Sequence, residues 1–320
     1  MNPAAKEGRV LVSITDWDVE AWLEAFRTTA PEREFVTEPD GSDDPSIKYA
    51  VVWKQPSGLM SSLPNLELVF SLGAGVDHVL TDPSLPDAPI VRIVSPDLTM
   101  RMSEYVVWQV LDHFRKGAAY RLQQQEKVWK ELSQPAASAM TIGIVGLGVL
   151  GTDSARILRS LGFKICGWSR TQKSVDGVIC YSGDDGLESL LAQGDIVVVL
   201  LPLTPQTKGM INQEFLGAMK RKTPIGGPVL INAGRGGLQI EADILEALNS
   251  GKLMAASLDV FETEPLDANS ALWTHPSVMI TPHAAACSDP ATLAVEVVRQ
   301  MDDFEKGIVP TGLVNRDAGY

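Results

Sequence analysis

A cationic excess is missing from this chain, as are cysteine pairs, histidine clusters and long apolar runs. Its 320 residues hold 27 lysines and arginines against 40 acidic residues, a formal charge of −13. Nucleic acids and anionic membrane surfaces need a basic face, so neither is expected as a partner. A polyanionic cofactor would then need a local basic pocket. Cys166, Cys180 and Cys287 are too few and too scattered for a disulfide framework or a metal site, and small buried apolar side chains are their expected role. The four histidines show no H-x-x-x-H spacing, so no metal is expected. The first eight residues have no apolar signal core, and no stretch is apolar enough to span a bilayer. A cytoplasmic protein is expected. Hydrophobic residues make up 45% and charged residues 21%, ordinary for a globular chain whose length suits about two domains.

What is present is an alternation of strand-like and helix-like segments. Residues 10–14, 49–53, 68–70 and 90–94 read as strands, and 17–27 has helical spacing. A long segment, 99–132, nearly free of proline and poor in glycine, predicts one continuous helix that connects domains or forms a dimer arm. A second series follows, with strands over 141–145, 163–168, 195–200, 229–232, 255–260 and 278–281. Residues 290–306 are amphipathic and should pack back onto the first domain. The expected fold is α/β, two doubly wound parallel sheets, with 106–287 inserted into a domain made of 1–105 and 288–320.

The second series opens on Thr141-Ile-Gly-Ile-Val-Gly146-Leu-Gly148-Val-Leu-Gly151, a strand, a G-x-G-x-x-G turn and a helix start. Gly146 permits the tight turn, Gly148 lets a pyrophosphate approach the backbone, and Gly151 lets helix and strand pack closely. Free N–H groups and the helix dipole would stabilise the anion. A site preferring NAD carries an acid about 20 residues on, for the ribose hydroxyls. Here the second strand leads into Trp168-Ser169-Arg170-Thr171-Gln-Lys173, with no acid before Asp176. Ser169, Arg170, Thr171 and Lys173 suit a 2′-phosphate through charge-assisted hydrogen bonds. NADP(H) is therefore the expected cofactor and NAD(H) the lesser one, although Arg170 and Lys173 also read as solvated surface charges.

Three later segments carry the chemistry: Asn232-Ala-Gly-Arg235-Gly, Asp259-Val-Phe-Glu-Thr-Glu264-Pro and Thr281-Pro-His283-Ala-Ala. Each follows a predicted strand, where open α/β sheets place working side chains. Arg235 can grip a carboxylate through two parallel hydrogen bonds and polarise a neighbouring carbonyl. A carboxylate stabilises a protonated imidazole, so Glu264 would orient His283 as general acid in reduction and base in oxidation. Singly, Arg235 reads as a surface residue, Glu264 as a turn carboxylate and His283 as a structural histidine. Together they suit reduction of a 2-oxo acid. His78, His113 and His275 lack this context, and structural or surface roles are expected for them.

Order, spacing and flanking residues resemble the D-isomer-specific 2-hydroxyacid dehydrogenase family over nearly the whole chain, most strongly from Thr141 to Ala286. The resemblance implies a Rossmann cofactor domain inserted in a flavodoxin-like substrate domain, with Arg235, Glu264 and His283 catalytic. It implies that Ser71-Leu-Gly-Ala74-Gly75-Val-Asp77 presents backbone amides to the substrate carboxylate, making Ala74 and Gly75 substrate contacts. Asp259 matches an aspartate that contacts the nicotinamide carboxamide. Leu201-Pro202-Leu-Thr204-Pro-Gln-Thr207 resembles the loop lining the cofactor, with Val149, Leu150 and Ala233 as further contacts. Trp168-Ser-Arg-Thr and the Trp53-Lys region are most similar to the family's glyoxylate/hydroxypyruvate reductases of the A type, which prefer NADPH. Trp53 either caps a small substrate pocket or is a core aromatic. Residues 121–129 resemble the family's dimer arm and imply a homodimer, though they equally suit an intramolecular connector. A bulkier 2-oxo acid, an NAD-linked dehydrogenation and a non-catalytic dinucleotide sensor of the same fold remain alternatives. Formate dehydrogenases carry Gln where this chain has Glu264.

Overall fold

The computed structural model describes residues 8–320 apart from Ser42 and Val94. Val94, expected to end a strand, and the first seven residues, expected to lack a signal core, lie outside the described residues. Chain contacts cluster into two units, one reaching Leu98 and resuming over Ser288–Tyr320, the other spanning Thr99–Cys287. The expected boundary at 105/106 lies further along the same helix.

The first unit runs through β1 (Arg9–Ile14), α1 (Val19–Thr29), β2 (Phe35–Val36), β3 (Ile47–Trp53), β4 (Leu68–Ser71), α2 (Asp77–Leu80) and β5 (Ile90–Arg92). Its strands form one parallel sheet in the order β2-β1-β3-β4-β5, the flavodoxin-like order. Both faces are covered, so the strands read as continuous apolar runs. Val10 and Val12 face Trp22, Leu23 and Phe26 of α1, while Leu11 points to the opposite cluster with Val52 and Val69. The β2 strand was not legible because two residues carry no periodicity.

In the second unit the elements are α3 (Pro96–Phe114), α4 (Gly117–Glu126), β6 (Thr141–Val145), α5 (Val149–Ser160), β7 (Lys164–Trp168), β8 (Val178–Tyr181), α6 (Gly183–Leu191), β9 (Ile196–Val199), α7 (Gln213–Ala218), β10 (Val229–Asn232), α8 (Glu241–Asn249), β11 (Ala255–Leu258) and β12 (Val278–Ile280). Its seven parallel strands run β12-β11-β10-β9-β6-β7-β8. This is the Rossmann order extended by one strand, and the order reverses between β6 and β9. On β9, Ile196 and Val198 pack with α3 and α5, whereas Val197 and Val199 pack with α6, α7 and α8. The last helix, α9 (Pro290–Glu305), is capped by Asp289 and lays Leu293, Val297 and Met301 into the first unit's core with α1.

Two expectations need correction. The continuous helix over 99–132 is instead α3 and α4, separated at Lys116, whose left-handed backbone (φ 59°) ends one helix and starts the next. A bidentate Asp112–Arg121 pair at 2.7 and 2.9 Å closes the bend, and Lys127, again left-handed, ends α4. The Lys-Gly pair is a helix stop that helical spacing alone overlooks. The edge strand β8 was also missed, because Ile179 and its half-exposed neighbours lack a buried-strand signature. Of the cysteines, Cys166 is buried as expected, but Cys287 is exposed.

Candidate active site

Between β6 and α5 the backbone of Gly146 takes φ 117°, open in practice only to glycine. A Cβ there would also lie 2.8 Å from the Leu200 carbonyl oxygen, and one on Gly151 would lie 1.9 Å from that of Gly146. Gly148 differs: a Cβ would meet no protein atom within 4 Å, and no side chain caps α5. Bare helix-start N–H groups therefore face open space at the sheet's switch point, and the site fits a pyrophosphate. Val149 is exposed and Leu150 half-buried beside it.

The loop after β7 lies against this turn. Lys173 donates its ammonium to the Leu147 carbonyl at 2.6 Å. Ser169 is buried and its hydroxyl donates to the Thr171 carbonyl at 2.9 Å, while Arg170 and Thr171 are exposed. Asp176, the first acid after the strand, is paired with Arg159 at 2.6 Å. That pairing directs the carboxylate to Arg159 and leaves a cationic, hydroxyl-bearing loop, suited to a phosphate. Leu201, on the loop after β9, and Ala233, just after β10, are buried, and the Thr207 hydroxyl donates to the Pro202 carbonyl at 2.8 Å, folding the loop after β9 on itself.

The loops after β10, β11 and β12 bring the three candidate catalytic residues. His283 Nδ1 and Glu264 Oε2 are 2.8 Å apart, and Glu264 Oε1 accepts from the Phe261 N–H at 3.3 Å. His283 holds a left-handed backbone (φ 52°), secured by its N–H donating to the Asp259 carbonyl at 2.7 Å. Such a conformation is uncommon for a non-glycine residue and clusters at functional sites. The buried Asp259 carboxylate accepts from the Thr281 hydroxyl at 2.6 Å and from the N–H groups of Ala284 and Ala285 at 2.8 and 3.1 Å. It braces both flanks of His283. Tyr105 of α3 adds an oxygen–oxygen contact to Thr281 of 2.9 Å, and burial holds its phenol above the usual range, as a neutral hydroxyl. Arg235 is half-buried on a loop that Asn232 shapes, accepting from Gly234 N–H at 3.1 Å and donating to the carbonyl of Arg235 at 3.2 Å.

Asn232, Thr281 and Tyr105 were not singled out from the sequence. One signal was available: Tyr105, Gln109 and His113 recur every fourth position along α3, a polar stripe within an apolar helix. Gln109 and His113 both meet Ser257 of β11, at 2.7 and 2.8 Å. Burial pushes His113 down to about 4, so it is a neutral structural histidine, as expected.

In the first unit, Ser71 ends β4 and its hydroxyl donates to the Gly75 carbonyl at 2.9 Å, curling the 71–75 loop. Ala74 and Gly75 are half-buried there. Trp53 is only 7% exposed. It stacks on Trp17 with centroids 4.5 Å apart and meets His78 at 4.8 Å. A Cβ on Gly73 would come within 2.3 Å of its ring, so Trp53 sits directly against the loop.

Residues 107–285 match the NAD-binding domain of the D-isomer specific 2-hydroxyacid dehydrogenases. The chain belongs to this family. Glyoxylate/hydroxypyruvate reductase A of Yersinia enterocolitica is 38% identical over 310 residues, 95% of this chain and 97% of that protein. Two similar solved structures are an NADPH-dependent glyoxylate/hydroxypyruvate reductase of Sinorhizobium meliloti with NADP and sulfate, and a probable 2-hydroxyacid dehydrogenase of Rhizobium etli with NADP, HEPES and L(+)-tartaric acid. The first is 47% identical with a TM-score of 0.94, covering 98% of this chain and 100% of that one. The second is 41% identical with a TM-score of 0.92 and the same coverage. The family's members are oxidoreductases. Among the described residues no helix is long and apolar enough to cross a membrane.

Proposed function

We propose that this protein reduces small 2-oxo acids, glyoxylate and hydroxypyruvate first, to 2-hydroxy acids with NADPH. The observation that carries the reading is the 2.8 Å Glu264–His283 contact on loops adjoining Arg235, in one unit with the glycine turn. Relatives named as reductases of these two acids support the substrate class, and the NADP bound in the two similar solved structures supports the cofactor.

Gly146, Gly148, Val149, Leu150 and Gly151 would hold the pyrophosphate. Ser169, Arg170, Thr171 and Lys173 would hold the 2′-phosphate, and Leu201, Pro202, Thr207, Ala233 and Asp259 would line the remainder. When bound, the reduced nicotinamide supplies a hydride to the carbonyl carbon. Arg235 anchors the carboxylate and polarises the carbonyl, with the amides of Ala74 and Gly75 as further anchors. As the carbonyl π bond breaks, His283 delivers the proton to oxygen from Nε2, while Glu264 holds the imidazole through Nδ1. Trp53 supports the substrate loop. The exposed Trp108, Tyr120, Leu122 and Trp129 of the α3–α4 region support a homodimer arm, with Trp129 fully exposed, and a cytoplasmic location accords with the family.

Initial rates of NADPH loss with glyoxylate, hydroxypyruvate and phenylpyruvate test the reading. Fast turnover of the two small acids, with the 2-hydroxy acid recovered as product, is expected. Preference for phenylpyruvate would overturn the substrate class. Tight dinucleotide binding without turnover of any of them would make the protein a sensor.

A further inference from the structure

Glu241 opens α8, and Glu262 lies just beyond β11, between Phe261 and Glu264. The Glu241 N–H donates to Glu262 Oε1 at 2.7 Å, and the Glu262 N–H donates to Glu241 Oε1 at 2.8 Å. Each carboxylate thus caps the other's backbone, an arrangement that binds two loops rather than one helix end. Two like charges so close repel, and a lone Ser or Asn would cap α8 without that cost. The same two segments meet twice more. Gln239 Nε2 donates to the Val260 carbonyl at 2.9 Å, and its Oε1 accepts from Asn232 at 2.8 Å. A Cβ on Gly236 would lie 1.7 Å from the Phe261 carbonyl oxygen, so the backbones are in direct contact there. One segment begins at Arg235 and the other ends at Glu264.

We propose that the Glu241–Glu262 pair is a positioning clasp that fixes the Arg235 loop against the loop carrying Glu264. Neither glutamate touches the reacting atoms. Their task is alignment, keeping the carboxylate-gripping arginine at a fixed distance from the proton-donating dyad. The proposal rests on the dehydrogenase reading for its kinetic effect, though not for its geometry. What matters in each side chain is the reach of an acceptor oxygen, not its charge.

Glutamine keeps the reach and removes the charge; aspartate keeps the charge and shortens the reach. Glu241→Gln and Glu262→Gln should retain kcat/KM for glyoxylate within about twofold. Glu241→Asp and Glu262→Asp should each lose about tenfold or more, since a shift of about 1 Å at a reacting group costs up to a hundredfold. NADPH affinity should not change, and the double aspartate variant should be no worse than the weaker single, because both caps join the same segments. Amide hydrogen exchange gives a readout independent of turnover. Either aspartate substitution should deprotect both residues 236–241 and 260–264. Aspartate variants with wild-type kcat/KM, glutamine variants as impaired as aspartate, or deprotection confined to one segment would each overturn the clasp. A wild-type protein inactive on every oxo acid would strike the functional reading instead, with the exchange data still deciding the clasp.

Discussion

At the carboxyl end of the seven-stranded sheet, Arg235, Glu264 and His283 stand on loops cross-linked by polar side chains. At the carboxyl end of the five-stranded sheet, the 71–75 loop leans on the Trp53–Trp17 stack, with Ser71 as its hydroxyl tie. The two braces suit two tasks. The role proposed for His283, proton donor, needs one nitrogen aimed along one line, and directional hydrogen bonds to the Asp259 carboxylate from Thr281 and Ala284, with the Glu264 contact at Nδ1, suit that. The backbone-amide anion site proposed for the 71–75 loop needs a segment held at one depth, and a broad aromatic face suits that.

The largest effect is expected at His283, the proposed proton donor. His283→Ala should lower kcat by roughly 10²–10⁴-fold, the usual scale of general acid catalysis, with NADPH affinity unchanged in a fluorescence titration. A kcat within a few-fold of wild type would remove His283 from the mechanism. Thr281→Val takes one partner from the buried Asp259 carboxylate and severs its link to Tyr105. With that brace loosened the His283 imidazole should lose its alignment, so kcat should fall by about tenfold while the substrate KM moves little, and the buried charge short of a partner should lower stability by about 1–3 kcal/mol. In the first unit the split should invert. Gly73→Ala would push against the Trp53 ring; it should raise the oxo-acid KM by about fivefold, from roughly 1 kcal/mol of crowding, and spare kcat. Equal KM and kcat effects at both positions would erase the distinction.

A smaller effect follows from α3. His113 is held neutral at about 4, below its ordinary 6.5, by burial against Ser257. The unfolded chain then binds the extra proton first as pH falls. His113 stability is complete above about pH 6.5 and drains away towards pH 4, by on the order of 3 kcal/mol. His113→Gln should flatten the fall in melting temperature over that window, at some loss of stability near pH 7. An unaltered slope would contradict the buried neutral assignment.

The place of the three candidate residues was legible in the sequence because each residue proposed as catalytic adjoins a strand end and a turn former. Parallel strands covered on both faces announce themselves as apolar runs, and the glycine spacing declared the helix start. The bracing was harder to read. Thr281 is one ordinary residue before Pro282, and its worth comes from Asp259, 22 residues earlier in the chain. Glu241 and Glu262 look like two solvated acids until the fold brings their amides together. Trp53 illustrates the opposite difficulty, since a core aromatic and a pocket cap share one composition, and only packing against Gly73 shows what it leans on. The long helix failed for a local reason, the left-handed Lys116 ahead of Gly117.

Selection of NADPH by the cationic loop of the Rossmann site, for reduction by the Arg235–Glu264–His283 unit, is the proposal on which the rest depends. Its most direct test is the initial rate of glyoxylate reduction with NADPH and with NADH, for wild type and Arg170→Asp. Faster loss of NADPH is expected in wild type and a sharply raised NADPH KM in the variant, with the hydroxy acid formed in both. Faster loss of NADH by wild type, or an Arg170→Asp variant with an unchanged NADPH KM, would contradict it.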